Sequence, residues 1–245
     1  MSDKSVDNLK DITKGYFNIP IKDNPEADFV WSELSRKQFA NLEGRASKLF
    51  HEGWEKLGIN IVQVPQVHGL HQKISQHTDW SISPTDIEYT SVPDWFEHLR
   101  NKNFVVTTFI RSKENLHYTP FPDMFHDAFG HLPFLILPRY AKLIHRFGEI
   151  YSMLPEDKRE AFSKIWWYTI EFGLIREDGE IKALGAGLVS SFGELDNAFS
   201  DNVEIVPFDA ELVAGTEISD HSFHKRLFLL DSFEQLEEEI EKWGK

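Results

Sequence analysis

Two histidines in this sequence have the spacing and surroundings to bind a metal ion. His126 and His131 lie five positions apart in the stretch Tyr118-Thr-Pro-Phe-Pro-Asp-Met-Phe-His-Asp-Ala-Phe-Gly-His131. On a straight α-helix five residues turn through about 500°, so the two imidazoles would point apart. We expect them to converge because the helix ends between them, at Gly130. Neutral imidazoles suit iron, zinc, copper or nickel.

Glu171 is the candidate third ligand. It is the only charged residue in the apolar, aromatic run over residues 165–174. A carboxylate in such surroundings is costly unless it is paired, protonated or bound to a metal. Two histidines and one carboxylate form the ligand set of non-haem Fe(II) oxygenases, which leaves positions for oxygen and substrate. Ordinary helix-end histidines and a glutamate paired with Lys or Arg remain the alternative interpretation.

The composition excludes several kinds of catalytic group and binding partner. The 245 residues include 26 Lys and Arg, 40 Asp and Glu, and no cysteine, for a formal net charge of −14. Without cysteine there are no disulfides, thiolate nucleophiles or Cys-ligated metals. So acidic a surface repels phosphate backbones and anionic lipid, so we expect neither nucleic acid nor membrane as a partner. No secretory signal or bilayer-spanning run is present, which favours the cytoplasm.

The elements around these residues predict a mainly α (α+β) fold, a single helical catalytic domain with a few short strands. Residues 1–27 are polar and are expected to form an N-terminal arm, and residues 28–245 the catalytic domain. Helical and strand patterns set the expected elements. Helices are expected over about 29–57 with a break near 42–44, 68–75, 93–99, 122–130, 139–153, 156–174 and after 232, and strands over 104–111, 174–176 and 181–184.

Four segments, in order, resemble the pterin-dependent aromatic amino acid hydroxylases. They are a strand ending in Ile110-Arg111, the histidine motif, Trp167-Tyr-Thr-Ile-Glu-Phe-Gly173 and Gly185-Ala-Gly-Leu-Val-Ser-Ser-Phe-Gly-Glu194. The resemblance covers about residues 29–200, and the histidine motif is similar to that of the bacterial phenylalanine 4-hydroxylases. It implies the catalytic-domain fold of that family. It also implies an Fe(II)- and tetrahydropterin-dependent monooxygenase that uses O2 to convert L-phenylalanine to L-tyrosine.

The resemblance also implies roles for individual residues. His126, His131 and Glu171 would be catalytic and would bind Fe(II), and Arg111 would bind the substrate carboxylate. The remaining residues of the amino-acid pocket would be Thr119, Pro122, Trp167, Phe172, Gly187 and Ser190. The residues that contact the pterin would be Val92, Trp95 and Asp127.

Departures from the family pattern leave the substrate open. Phe121 stands where a glutamate is usual, and Trp166 where a tyrosine is usual. Asp220 falls, in a poor alignment, where tyrosine-acting members carry an acid. Tyrosine, tryptophan or another aromatic amino acid, or a meta-hydroxylated product, are therefore alternatives. A zinc hydrolase using the same three ligands, and a non-catalytic homologue that binds an amino acid or pterin, are alternatives from other classes.

Two further groups of residues could bind a metal by composition alone. Because their surroundings are polar, we expect both to be solvated surface. They are His68, His71 and His77, and Asp220, His221 and His224.

The last predicted helix bears on the oligomeric state. Leu236, Ile240 and Trp243 supply about one and a half heptads, fewer than a tetramerising coiled coil needs. We therefore expect a monomer.

Overall fold

Helices dominate the computed structural model, which describes residues 18–87, 90–117, 119, 121–218 and 222–245. The mainly helical fold expected from the sequence is confirmed. The α-helices are α1 (Pro25–Leu42), α2 (Lys48–Leu57), α3 (Val67–Ile74), α4 (Val92–Arg100), α5 (Leu132–Leu135), α6 (Pro138–Met153), α7 (Glu156–Trp166), α8 (Ala186–Ser190), α9 (Phe192–Ala198), α10 (Ala210–Gly215) and α11 (Phe233–Trp243).

The strands are short and form three small sheets in the described part of the chain. They are β1 (Asn18–Pro20), β2 (Ser81–Thr85), β3 (Asn103–Thr107), β4 (Phe109–Arg111), β5 (Leu174–Glu177), β6 (Glu180–Ala183), β7 (Glu204–Pro207) and β8 (Arg226–Leu230). β1 pairs antiparallel with β4, and β2 pairs parallel with β3. The third sheet has the order β6-β5-β8-β7, in which only the β5–β6 hairpin is antiparallel.

Two π-helical segments carry the candidate ligands. The first π-helix (Phe125–His131) continues directly into α5, and the second (Trp167–Glu171) continues α7. A π-helix closes hydrogen bonds between residues five apart and so brings such residues to one face. The backbone N–H of Phe172, for example, donates to the Trp167 carbonyl at 2.9 Å. The expectation that the helix ends at Gly130 is therefore wrong, because the wider turn alone lets the histidines converge.

Gly130 has a packing role instead. A Cβ added there would lie 2.8 Å from the carbonyl oxygen of Ala186, at the start of α8. The missing side chain lets the first π-helix approach α8 closely, which matters because Ser190 of α8 contacts a candidate ligand.

An aromatic cluster from the first two helices holds the first π-helix in place. Phe129 packs against Phe39 of α1 at 5.1 Å and against Trp54 of α2 at 4.9 Å between ring centroids. Phe125, one turn earlier, stacks on Phe129 at 4.6 Å and meets the edge of Trp31 at 5.7 Å. Burying each such side chain contributes roughly 1.5–3 kcal/mol. The segment that bears the histidines is therefore anchored on its opposite face.

The N-terminal part of the described chain packs on the domain. β1 pairs with β4, and Ile21, just after β1, is buried with 3% of its surface exposed. α1 begins at Pro25, with Asn24 as its N-cap. The predicted arm over residues 1–27 is thus folded from Asn18 onward, and residues 1–17 lie outside the described residues.

Turn and cap residues mark the boundaries of the remaining elements. Asp178 and Gly179 both have positive φ, 53° and 83°, and join β5 to β6 in a two-residue hairpin. The Ser232 hydroxyl accepts the backbone N–H of Gln235 and caps α11. The predicted strand over 104–111 is divided at Thr108 into β3 and β4, which pair with different partners.

The helices in the described ranges are all too short or too polar to cross a bilayer.

Candidate active site

The three candidate metal ligands converge. The Nε2 atoms of His126 and His131 are 3.1 Å apart. The Glu171 carboxylate approaches both, with Oε2 3.5 Å from His126 Nε2 and Oε1 3.3 Å from His131 Nε2. Within the described residues they form the one group of three or more His, Cys, Asp or Glu side chains close enough to hold an ion. The sequence prediction that these three residues meet agrees with this geometry.

The separations fit one ion bound by all three side chains. Bonds of about 2.0–2.2 Å at right angles would separate neighbouring donor atoms by about 3 Å. The observed separations of 3.1–3.5 Å are close to that value. Two imidazoles and a carboxylate on one side of an ion suit iron or zinc and leave the opposite side open.

Glycines bring the second π-helix to its position. A Cβ at Gly185 would lie 2.3 Å from the Glu171 carbonyl oxygen, and one at Gly187 would lie 2.9 Å from the same atom. A Cβ at Gly173 would lie 2.3 Å from the Thr169 carbonyl oxygen. The Gly-Ala-Gly stretch before and within α8 can therefore pack directly on the backbone of the candidate ligand.

Ser190 determines the tautomer of His126. The Ser190 hydroxyl donates its one hydrogen to the Ala186 carbonyl at 2.7 Å. Its oxygen lies 3.0 Å from His126 Nδ1, so it must accept the hydrogen of that nitrogen. His126 Nε2 is then left with a lone pair that points toward His131 and Glu171. This is the form of histidine that binds a metal.

At neutral pH, His126 and Glu171 are in the protonation states that bind a metal. Burial and the neighbouring His131 lower the pKa of His126 to about 4, so the ring is neutral. Burial would raise the pKa of Glu171, but His131, His126 and an N–H donor outweigh it and lower the pKa to about 2. That donor is the indole Nε1 of Trp166, 3.1 Å from Glu171 Oε1. The sequence marked Trp166 only as a departure from the family pattern and missed this contact.

Arg111 is buried, and Asp123 of the same chain already accepts some of its hydrogen bonds. Its Nε and one Nη donate to the two oxygens of Asp123 at 2.8 and 3.0 Å, and its backbone N–H donates at 2.9 Å. Burial would raise the pKa of Asp123, but the Arg111 cation outweighs it and lowers the pKa. Asp123 thus fixes one edge of the guanidinium. A substrate carboxylate would have to use the other edge.

Asp127 follows His126 in the first π-helix and is buried. Its Oδ2 accepts the backbone N–H and the hydroxyl of Thr107, at 2.8 and 2.9 Å. Burial raises the pKa of Asp127 to about 7, although the bonds from Thr107 act in the opposite direction. β3 and the first π-helix are therefore joined through this carboxyl group.

The residues expected to line the amino-acid pocket have different environments. Trp167 and Phe172 are half-buried and pack together at 4.8 Å between ring centroids, while Gly187 and Ser190 are buried. Thr119 donates its hydroxyl to the Phe121 carbonyl at 2.7 Å. Pro122 is exposed, just before Asp123.

Of the residues expected to contact a pterin, Trp95 lies beside the ligands. Its ring is half-buried, 6.3 Å from the His131 ring and edge-on to Phe104 and Trp166. Val92 lies at the start of the same helix, α4, with 38% of its surface exposed.

His224 contradicts the expectation of solvated surface. Only 3% of its surface is exposed, and its ring contacts Trp167, Phe172 and Glu194. No local pattern marks this site, because the partners come from distant parts of the chain. Asp220 and His221, the other members of that cluster, lie outside the described residues, as does Tyr118.

The cluster His68, His71 and His77 agrees better with its expectation. His68 and His77 are exposed. His71 is half-buried, and its Nδ1 accepts the backbone N–H of Ile82 at 3.1 Å. The group has a structural contact and no convergent donor atoms.

Comparison with known proteins identifies the family. The family described as biopterin-dependent aromatic amino acid hydroxylase matches residues 27–245. The chain belongs to the biopterin-dependent aromatic amino acid hydroxylase family. Among curated relatives of this hydroxylase domain, the phenylalanine-4-hydroxylase of Chromobacterium violaceum is 36% identical over 219 residues, 84% of this chain and 70% of that protein.

Solved structures agree with the hydroxylase fold. Phenylalanine hydroxylase from Legionella pneumophila superposes with a TM-score of 0.83 at 30% identity, over 90% of this chain and 94% of that one. The Chromobacterium violaceum enzyme with bound iron(III) and oxidized cofactor 7,8-dihydrobiopterin gives 0.83 at 31% identity, over 96% and 88%. The catalytic-domain fold that the sequence motifs implied is thereby confirmed.

Proposed function

We propose that this hydroxylase is an Fe(II)- and tetrahydropterin-dependent monooxygenase that uses O2 to convert L-phenylalanine to L-tyrosine. The observation that carries the proposal is the convergence of His126 Nε2, His131 Nε2 and the Glu171 carboxylate. The family match and the name of the curated relatives, phenylalanine-4-hydroxylase, support the reaction and the substrate.

The residues around the ligands fit this role. Bound iron and pterin would supply the oxygen chemistry, for which side chains have no equivalent. Ser190 keeps the Nε2 lone pair of His126 directed at the site, and Trp166 fixes one oxygen of Glu171. Phe104, 5.1 Å from the His131 ring, and the half-buried Trp95 keep water away from that side of the site.

The substrate would be held at two ends. Arg111, pre-oriented by Asp123, would bind the amino-acid carboxylate through its free edge, a geometry that guanidinium groups favour. Trp167 and Phe172 would pack against the ring, with Gly187 and Ser190 behind them. A bulky indole at position 167 leaves room for a six-membered ring and crowds a substrate indole. Thr119 and Pro122 would close the pocket on the side of the loop that precedes the first π-helix.

The pterin would lie near Trp95. An indole face offers a stacking surface to a flat heterocycle. Asp127 and Val92 are assigned to the same subsite by the family resemblance, and Asp127 accepts two hydrogen bonds from Thr107 of β3.

The proposal also covers the oligomeric state and the cellular location of the protein. We infer a monomer, because the apolar residues of α11 already pack within the chain: Leu236 and Ile240 are buried, and Trp243 packs against Phe162 at 5.6 Å. The acidic charge and the proposed small-molecule substrate and cofactor favour a cytoplasmic enzyme that acts without nucleic acid or membrane. Residues 28–245 form the catalytic domain in this proposal.

Oxygen uptake tests the function. With ferrous iron and a tetrahydropterin, we expect O2 consumption that requires L-phenylalanine and yields L-tyrosine, whereas 2-oxoglutarate supports none. His131→Ala should lose both bound iron and turnover, while the exposed control His77→Ala keeps both. Preferred turnover of tyrosine or tryptophan, a meta-tyrosine product, or hydrolysis without O2 uptake would each overturn the proposed reaction.

A further inference from the structure

His224 occupies a buried position behind the pocket wall. It lies two residues before β8, and its side chain is 2% exposed. The backbone carbonyl of His224 accepts the side-chain N–H of Asn197 at 2.7 Å. This bond holds the backbone of His224 next to α9.

The hydrogen bonds of the ring assign its tautomer. Trp167 Nε1 lies 3.0 Å from His224 Nε2, and an indole N–H can only donate. His224 Nε2 must therefore be the acceptor, which leaves the hydrogen on Nδ1. That nitrogen lies 3.1 Å from Glu194 Oε1, a carboxylate oxygen that can receive it. Trp167 therefore donates to His224, and His224 donates to Glu194.

Both aromatic walls of the pocket rest on this ring. The His224 ring lies 4.2 Å from the Phe172 ring, inclined by 36°, and 6.0 Å from the Trp167 ring. Trp167 and Phe172 also contact each other, so the three rings form one group. Because a tryptophan side chain has two rotatable bonds, a hydrogen bond to its Nε1 fixes the plane of the indole as well as its position.

A purely space-filling role does not explain the chemistry at this position. Burying an imidazole and a carboxylate costs free energy that an apolar side chain of similar volume would avoid. The polar pair of His224 and Glu194 instead provides a hydrogen-bond acceptor for Nε1, the one polar atom of the Trp167 indole. This bond fixes the orientation of the indole, which packing alone would not do.

We propose that His224, oriented by Glu194, is a positioning residue that fixes the Trp167 indole and thereby selects the size of the substrate ring. The proposal rests on the function proposed above, since it assigns the cause of selectivity within the same pocket. When the indole is held, the pocket accepts a six-membered ring. When it is released, the indole can rotate and admit a larger one.

Two polar substitutions separate the two contacts of the ring. The amide of His224→Gln can reach Trp167, because a glutamine amide takes the position of Nε2. The shorter amide of His224→Asn takes the position of Nδ1, so it keeps the contact with Glu194 and loses Trp167. His51→Asn, at an exposed position on α2, is the matched control.

The first readout is independent of activity. In metal-free protein labelled with 15N, the indole N–H resonance of Trp167, assigned by its absence in Trp167→Phe, should show a hydrogen-bonded shift and slow exchange. His224→Gln should retain both features and His224→Asn should lose them. In the wild type itself, the ring nitrogens of His224 should show the Nδ1–H tautomer, which requires no variant to fold.

The second readout is kinetic, with the iron-loaded enzyme. For His224→Asn we expect KM for L-phenylalanine to rise about tenfold, the size of one lost hydrogen bond, with kcat within about threefold. The ratio of kcat/KM for L-phenylalanine over L-tryptophan should fall at least about fivefold. His224→Gln should stay near the wild type, and His51→Asn should match it.

The outcomes separate this proposal from the proposed function. An Nε2–H tautomer in the wild type, or an unchanged Trp167 resonance in His224→Asn, would overturn the positioning role whether or not the enzyme hydroxylates phenylalanine. Equal selectivity in the wild type and in His224→Asn would overturn the role in ring selection. If the wild type turns over no aromatic amino acid, the proposed function fails, and the nuclear magnetic resonance readout still decides whether His224 positions Trp167.

Discussion

Ser190 shows how much of the candidate site depends on one hydroxyl hydrogen. Because that hydrogen goes to Ala186, the oxygen can only accept from His126, and the imidazole is left in its ligating tautomer. The sequence resemblance placed Ser190 in the substrate pocket, and nothing in the residue type indicated a bond to the ligand. Such contacts between distant residues are invisible to spacing arguments, whereas the ligand types themselves are not.

Replacing Ser190 should therefore weaken metal binding. In Ser190→Ala the His126 ring loses the acceptor for its Nδ1–H, and partners of metal ligands typically contribute 10–100-fold to affinity. We expect iron affinity to fall by at least about tenfold in a competition titration against a chelator. Ser163→Ala, on the exposed face of α7, is the control and should bind iron as the wild type does. Equal affinity in both variants would show that Ser190 does not set the tautomer.

At the level of elements, the two π-helices explain why sequence reasoning found the ligands but not the reason that they converge. The residues of both segments fit α-helical periodicity as closely as the residues of the neighbouring helices do. The change from hydrogen bonds four residues apart to bonds five residues apart leaves no mark in the amino-acid composition. The extent of α6 and the positions of β5, β6 and α11 followed from residue patterns within each segment, which act locally. The burial of His224 did not, because its partners Trp167 and Glu194 lie 57 and 30 positions away.

Gly185 provides a test of the close packing between these elements. In Gly185→Ala the new Cβ would lie 2.3 Å from the Glu171 carbonyl, so the backbone of the second π-helix must move. Overpacking of this kind costs about 1–3 kcal/mol of unfolding free energy, and we expect iron occupancy to fall with it. Urea unfolding and metal analysis measure the two effects.

The control for Gly185→Ala is Gly69→Ala. Gly69 lies inside α3 with no atom within 4 Å of an added Cβ, so alanine should be neutral or stabilise by up to about 1 kcal/mol. If both variants retained full iron occupancy and wild-type stability, the packing of Gly185 against Glu171 would not position the ligand.

At the scale of the whole molecule, ion pairs join the C-terminal helix to the rest of the domain. The C-terminal helix α11 is strongly acidic and lies against α6, whose Arg139 and Arg146 face it. Arg139 binds Glu234 and Glu237, and Arg146 binds Glu241 through two hydrogen bonds of 2.7 and 2.9 Å. These pairs anchor the end of the chain on a helix that also supports the aromatic core behind the site.

The anchoring of α11 should therefore depend on pH. The hydrogen bonds from Arg146 lower the pKa of Glu241, so this pair contributes stability above the unfolded-state pKa near 4.5 and loses it as the pH falls through the lower folded-state value. The groups are partly exposed, so we expect at most about 1 kcal/mol. Urea unfolding should show Arg146→Gln less stable than the wild type at pH 7, with the difference shrinking toward pH 3 and in 1 M salt.

The control Lys158→Gln removes the same charge from an exposed position on α7 and should show no such convergence. A difference between Arg146→Gln and the wild type that stayed constant over this pH range would mean that Arg146 stabilises the protein by packing and not through its ion pair with Glu241.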